Sequence, residues 1–181
     1  KGGRLNTDAI DNSAGVDCSD HEVNIKIALG KAIEKKKLTL KARNTLLESM
    51  TEELAQLVLK DNTLQNQAIT YAQLQGHALL ETQARLISSL EKDGSLDRAI
   101  EFLPDSEEIT RRHSAGYGLT RPEISVVMAY SKLRLYERLL SSNLPDENYY
   151  EADLIRYFPP QLQTKYLEEI KTHPLKREII A

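Results

Sequence analysis

Apolar and polar positions alternate at helical spacing along most of this 181-residue chain. From Asp20 to Leu103 there is no proline, and glycine occurs only at Gly30, Gly76 and Gly94. Leu, Ala, Gln, Glu and Lys dominate there, a helix-forming composition. Ala68, Tyr71, Leu74 and Ala78, then Leu79, Leu86 and Leu90, recur three, four and seven apart. That spacing predicts one apolar stripe along a long helix and places those residues in a core. Helix starts are marked by Thr39, Thr51, Asp61 or Thr63, and Ser95.

Beyond Pro104 the punctuation thickens. Ser106 can cap a short helix, Gly116-Tyr117-Gly118 reads as a loop, and Thr120-Arg121-Pro122-Glu123 is a capping box with proline in the first turn. Ile124, Met128, Ser131, Leu135 and Leu139 would form the inner face of the helix that follows, and Asn143-Leu144-Pro145 would end it. Shorter helices are expected at 152–157, at 160–172 and from Pro174 onward. Only the first ten or so residues escape this pattern, and Arg4-Leu5-Asn6 reads as the end of a strand. The expected fold is therefore mainly α: a helical bundle preceded by a strand, a loop and a helix.

Composition narrows the function classes. With 40% hydrophobic and 28% charged residues and a formal net charge of -3, the chain lacks the basic field that nucleic-acid binding needs. Lys31, Lys35, Lys36, Lys37 and Lys41 fall at an expected helix C-terminus, where cations complement the dipole and read as a solvated face. No apolar run approaches the roughly 18 residues of a membrane helix. One cysteine, Cys18, and the absence of an Asn-x-Ser/Thr acceptor favour a reducing cytoplasm. The chain opens without Met and closes on an apolar helical pattern with no stop signal, which reads as a segment of a longer protein cut at both ends.

The stretch "DNSAGVDCSDHEVN" (residues 11–24) is the chemical anomaly, because Asp8, Asp11, Asp17, Asp20 and Glu22 crowd together. Ser19-Asp20-His21-Glu22 has the form of a capping box, which would put Ser19 at a helix N-terminus after a loop holding Ala14 and Gly15. Such an end suits a carboxylate or phosphate, although a plain helix cap explains the same residues. A metal site drawn from Asp8, Asp11, Asp17, Cys18, Asp20 and His21 matches neither the calcium-loop nor the structural-zinc spacing, so no metal is expected. Cys18 reads as a buried, inert thiol.

These residues also carry a resemblance. The run from Asn12 to Val23 resembles the Asn-Ala-Gly-Gly-Val-x-x-Ser segment of the amino-acid dehydrogenases. In the form "GGRLNTDAIDNSAGVDCSDHEVNIKI" it is similar to the large bacterial NAD-specific glutamate dehydrogenases. "GLTRPEISVVMAYSK" (118–132) and "YFP" (157–159) resemble the helical C-terminal region of the same family. Ala14 and Val23 depart from the small hexameric class but fit the large form.

The resemblance implies that residues 1–37 end a Rossmann-like NAD-binding domain and that 38–181 form a C-terminal helical domain, truncated at its C-terminus. It implies NAD as cofactor, held by Asn12 and approached closely at Gly15, and L-glutamate as substrate, bound by Ser19 through its side-chain carboxylate and by Val16 through packing. The products would be 2-oxoglutarate and ammonia, and the full-length enzyme a homo-oligomer. The family's catalytic lysine and aspartate and its phosphate loop have no counterpart here, so the chain alone is expected to be inactive. The rival expectation is a non-catalytic helical regulatory or oligomerisation module.

Overall fold

The structure is a computed structural model that describes residues 3–181. Among the described residues the chain is helical and forms no β-strand. The expected strand is therefore absent at 4–6, and its first residues, Lys1 and Gly2, lie outside the described part. A strand needs a neighbour to receive its ladder hydrogen bonds, and the described residues provide none. Residues 3–7 are irregular and lead into a one-turn helix, α1 (Asp8–Asp11), which buries Ile10.

The helices α2 (Ser13–Glu34), α3 (Leu40–Ser49), α4 (Thr51–Gln75) and α5 (His77–Lys92) follow. Thr39 caps α3 as expected, accepting from the Ala42 amide at 3.2 Å. The expected break at Asp61 or Thr63 does not occur, and α4 runs through it to Gly76, which has a φ of +53°. That break resets the helical phase, so the expected stripe is partly wrong. Ala68, Tyr71, Leu74 and Ala78 are exposed, while Ile69, Leu80, Ile87 and Leu90 are buried. No helix follows Ser95; the Asp97 carboxylate instead accepts from the amides of Ala99 and Ile100 and holds a turn.

Next come α6 (Ser106–Ser114), capped by Asp105 rather than Ser106, and α7 (Arg121–Leu140). One half of the capping box expected at α7 is present: the Thr120 amide donates to Glu123 at 2.6 Å. Of the expected inner face of α7, Ile124 is buried and Leu135 is exposed. The chain ends in α8 (Glu151–Tyr157), α9 (Pro160–Lys165), α10 (Leu167–Lys171) and α11 (Lys176–Ile180). The helix expected over 160–172 is split at Tyr166.

The chain forms two compact units. The first comprises residues 3–13 among those described, together with 62–135, around Ile10, Ile69, Leu80, Ile87, Leu90, Leu119, Ile124 and Val127. Each fully buried aliphatic side chain contributes about 1.5–3 kcal/mol. In this unit Arg121 is buried and donates to Thr70, Gln73 and Asn66 of α4. Arg112 bridges Glu108 and Glu123 at 2.6 and 2.7 Å. Hydrogen bonds from Arg111 and Arg112 hold the Glu108 carboxyl down at about 2. Burial alone would raise the Glu123 carboxyl, but hydrogen bonds from Arg112 and Thr120 together outweigh it and keep it below the usual range.

The second unit comprises residues 14–61 and 136–181, around Ile25, Ala28, Leu29, Met50, Leu154, Phe158, Leu162 and Ile170. Within it the lysine run is not simply a solvated face. Lys35 and Lys37 reach the buried carboxylate of Glu169 at 3.3 and 2.9 Å, and Lys31 donates to the Thr172 carbonyl. Burial pushes the Glu169 carboxyl up, and the two lysine hydrogen bonds more than offset it.

Candidate functional site

The stretch 13–24 is helix, not loop. Ala14 is a strong helix former, and His21, Ile25, Ala28 and Ala32, spaced four, three and four apart, form one buried stripe. Burying that stripe outweighs the weak propensities of Gly15, Asp17 and Ser19, and α2 begins six residues ahead of the expected cap. Ser19 is therefore a mid-helix residue whose hydroxyl donates to the Gly15 carbonyl at 3.0 Å. Glu22 pairs with Lys26 one turn on instead of reaching back to Ser19. The expected anion site at a free helix end does not exist at Ser19, because the amides around it are used within α2.

Gly15, Val16 and Ser19 nonetheless share one outward face of α2, continued by Val23. Val16 is 67% exposed and Val23 54%. A Cβ built on Gly15 would meet nothing within 4 Å, so packing in this chain does not demand glycine there. This face offers an apolar patch, a hydroxyl and bare backbone to whatever lies against it. Asn12 belongs to the first unit, where its amide closes α1 by donating to Asp8 and Ile10. Its side chain is exposed, and its carboxamide has no partner among the described residues.

The opposite, buried side of α2 is mainly apolar but carries His21 and, at its edge, the half-buried Asn24. The His21 ring lies stacked on Tyr157 with centroids 4.2 Å apart. Asn24 donates to the Tyr157 hydroxyl at 2.9 Å, and its carbonyl accepts from His173 Nε2 at 3.1 Å. The Leu175 amide donates to His173 Nδ1. The two bonds together fix the neutral Nε2–H tautomer, and burial pushes the ring's pKa down. Burial, then the field of Asp20, Asp17 and Asp61, pushes the Tyr157 hydroxyl up despite the Asn24 bond.

Of the sequence's candidate metal ligands, Asp17 and His21 come together, and the third member of their cluster is Asp61 of α4. The sequence marks Asp61 only as a possible helix start, because it lies forty residues beyond His21 and no local pattern joins the two. Cys18, expected to be buried, is exposed, because it lies off the buried stripe of α2, and it is outside the cluster.

Comparison with known proteins places the whole chain. Residues 1–72 match the family described as bacterial NAD-glutamate dehydrogenase, catalytic domain, and residues 116–181 match glutamate dehydrogenase, C-terminal. The chain is 48% identical over 180 residues to the NAD-specific glutamate dehydrogenase of Pseudomonas aeruginosa, and 47% over 179 residues to that of Mycobacterium tuberculosis. Against the enzyme of that name from Halomonas elongata it is 45% identical over 181 residues. These alignments cover 99–100% of this chain but only 11% of each relative. No described helix is long and apolar enough to cross a membrane.

Proposed function

Because the chain belongs to the bacterial NAD-glutamate dehydrogenase family, we propose that it supplies part of the cofactor- and substrate-binding surface of such an enzyme. The reaction is the oxidative deamination of L-glutamate to 2-oxoglutarate and ammonia. NAD, when bound, supplies the hydride acceptor. The observation that supports this reading is the outward face of α2, where Gly15, Val16 and Ser19 point away from the unit's own core.

On this reading Val16 packs against the aliphatic part of glutamate, and the Ser19 hydroxyl donates to its side-chain carboxylate. Ser19 has one proton, which the Gly15 carbonyl holds in this structure; a rotation about χ1 at this exposed position redirects it. The free carboxamide of Asn12 fits an amide or ribose hydroxyl of the cofactor. Gly15 leaves room for close approach of a ligand. Residues 1–37 end the NAD-binding domain of the longer enzyme, and the later helices are scaffold. The chain alone is inactive, since the lysine and aspartate that carry the family's chemistry are not among its residues.

Asn12→Ala in the full-length enzyme tests the cofactor assignment. Loss of one neutral hydrogen bond, about 0.5–1.5 kcal/mol, raises KM for NAD by about two- to tenfold and leaves KM for glutamate nearly unchanged. An unchanged KM for NAD contradicts it.

A second reading has its own observation. Leu64, Ala68, Tyr71 and Leu74 lie exposed at helical spacing on α4, an apolar face suited to a helical assembly module. A discrete oligomer of the full-length protein that neither NAD nor glutamate perturbs supports that reading instead.

A further inference from the structure

Within the second unit, Asp17 and His21 stand one turn apart on α2 and face Asp61 of α4. We propose that these three residues bind one divalent transition-metal cation of the zinc class and so brace α2 against α4. The proposal does not depend on the dehydrogenase reading.

His21 carries the argument. It is 2% exposed, and neither ring nitrogen has a hydrogen-bond partner among the described residues. A buried polar group left unpaired is costly, and native proteins rarely keep one. Stacking on Tyr157 fixes the ring plane, and Nε2 then points toward Asp17 Oδ1 at 3.7 Å and Asp61 Oδ2 at 3.9 Å.

Those separations are too long for hydrogen bonds, which fall at about 2.7–3.2 Å. They suit two ligands of one ion, because atoms about 2.1 Å from a shared metal lie about 3.0–4.2 Å from each other. The three ligand atoms all lie within 4.8 Å of one another, so a small contraction closes the set.

The chemistry selects the cation. One imidazole nitrogen with two carboxylate oxygens suits zinc, cobalt or manganese, whereas calcium and magnesium favour oxygen alone and copper(I) favours sulfur. Two carboxylates balance a double positive charge. The Asp17 and Asp61 side chains remain 29% and 49% exposed, so water can complete the coordination. The adjoining cleft of about 360 Å³ is lined by Asp17, Asp20, Tyr157 and Glu178, with no lysine or arginine among the described residues that line it. Its field draws cations in.

The test is calorimetric titration of the chelator-stripped 181-residue chain with zinc in a non-coordinating buffer, repeated with cobalt for visible d–d absorption. One saturable site per chain is expected. Asp61→Asn, at a half-exposed position, should weaken binding at least about tenfold while the helical circular dichroism stays unchanged. His21→Gln should abolish binding, and Asp61→Asn carries the test alone if that variant misfolds. Three results overturn the proposal: no saturable uptake, uptake that Asp61→Asn leaves unchanged, or uptake that Cys18→Ser removes.

Discussion

A Cβ placed on Gly118 would come within 2.6 Å of the carbonyl carbon of Gly76 and 2.7 Å of its oxygen. Two backbones therefore touch where the loop before α7 crosses the break between α4 and α5. Glycine is required at 118 by space and favoured at 76 by its φ of +53°. Gly118→Ala must push backbone against backbone, and we expect a loss of about 2–3 kcal/mol in urea unfolding. A change below about 0.5 kcal/mol would mean that the loop moves freely away from Gly76.

The lysine run is expected to act on stability through Glu169. Each lysine is about half exposed and Glu169 is almost wholly buried. Lys35→Met or Lys37→Met alone leaves one partner and should cost at most about 1 kcal/mol. The double variant leaves a buried carboxylate unpaired and should cost about 3 kcal/mol, more than the sum of the singles. Additive small losses would show that Glu169 finds water instead.

His173 gives the chain a pH dependence of definite sign. Burial holds its folded pKa below the ordinary 6.5, so the native state binds this proton less readily than the unfolded chain. Its contribution is fully present above pH 6.5 and declines as the pH falls below that value. Protonation at Nδ1 also costs the bond from the Leu175 amide. His173→Gln should flatten the fall in stability between pH 7 and pH 5, measured by denaturant titration at each pH. An equally steep fall in the variant would assign it to other groups.

Gly15 separates packing from binding. It sits inside a helix with open space where a Cβ would go. Gly15→Ala should raise the stability of the chain by about 0.5–1 kcal/mol. In the full-length enzyme the same methyl should lower affinity for NAD. A destabilised chain would show that glycine serves the fold itself.

Much of the helical content was legible in the sequence, because helix-forming composition, the cap at Thr39 and the bond from the Thr120 amide to Glu123 act locally. The phase of the buried stripe was not. A single glycine with positive φ, Gly76, breaks α4 from α5, and α4 buries Val58 and Ile69 while leaving Tyr71 and Leu74 exposed. At the candidate site the resemblance names Asn12, Gly15, Val16 and Ser19, but the local structure around them was not legible. The pattern Ser-x-x-Glu has the form of a cap wherever it occurs, and only the buried stripe from His21 to Ala32 shows that the helix is already under way. The grouping of His21 with Asp61 depends on two helices meeting, which no local pattern records.

The central claim is that the outward face of α2 meets glutamate, and steady-state glutamate oxidation by the full-length enzyme tests it most directly, wild type against Ser19→Ala with NAD saturating. A hydrogen bond to a charged carboxylate contributes about 1.5–3 kcal/mol, so kcat/KM for glutamate should fall about ten- to a hundredfold. Because Ser19 lies exposed in mid-helix, the stability of the chain should change by less than about 0.5 kcal/mol. Activity that stays at the wild-type level in this variant would contradict the claim.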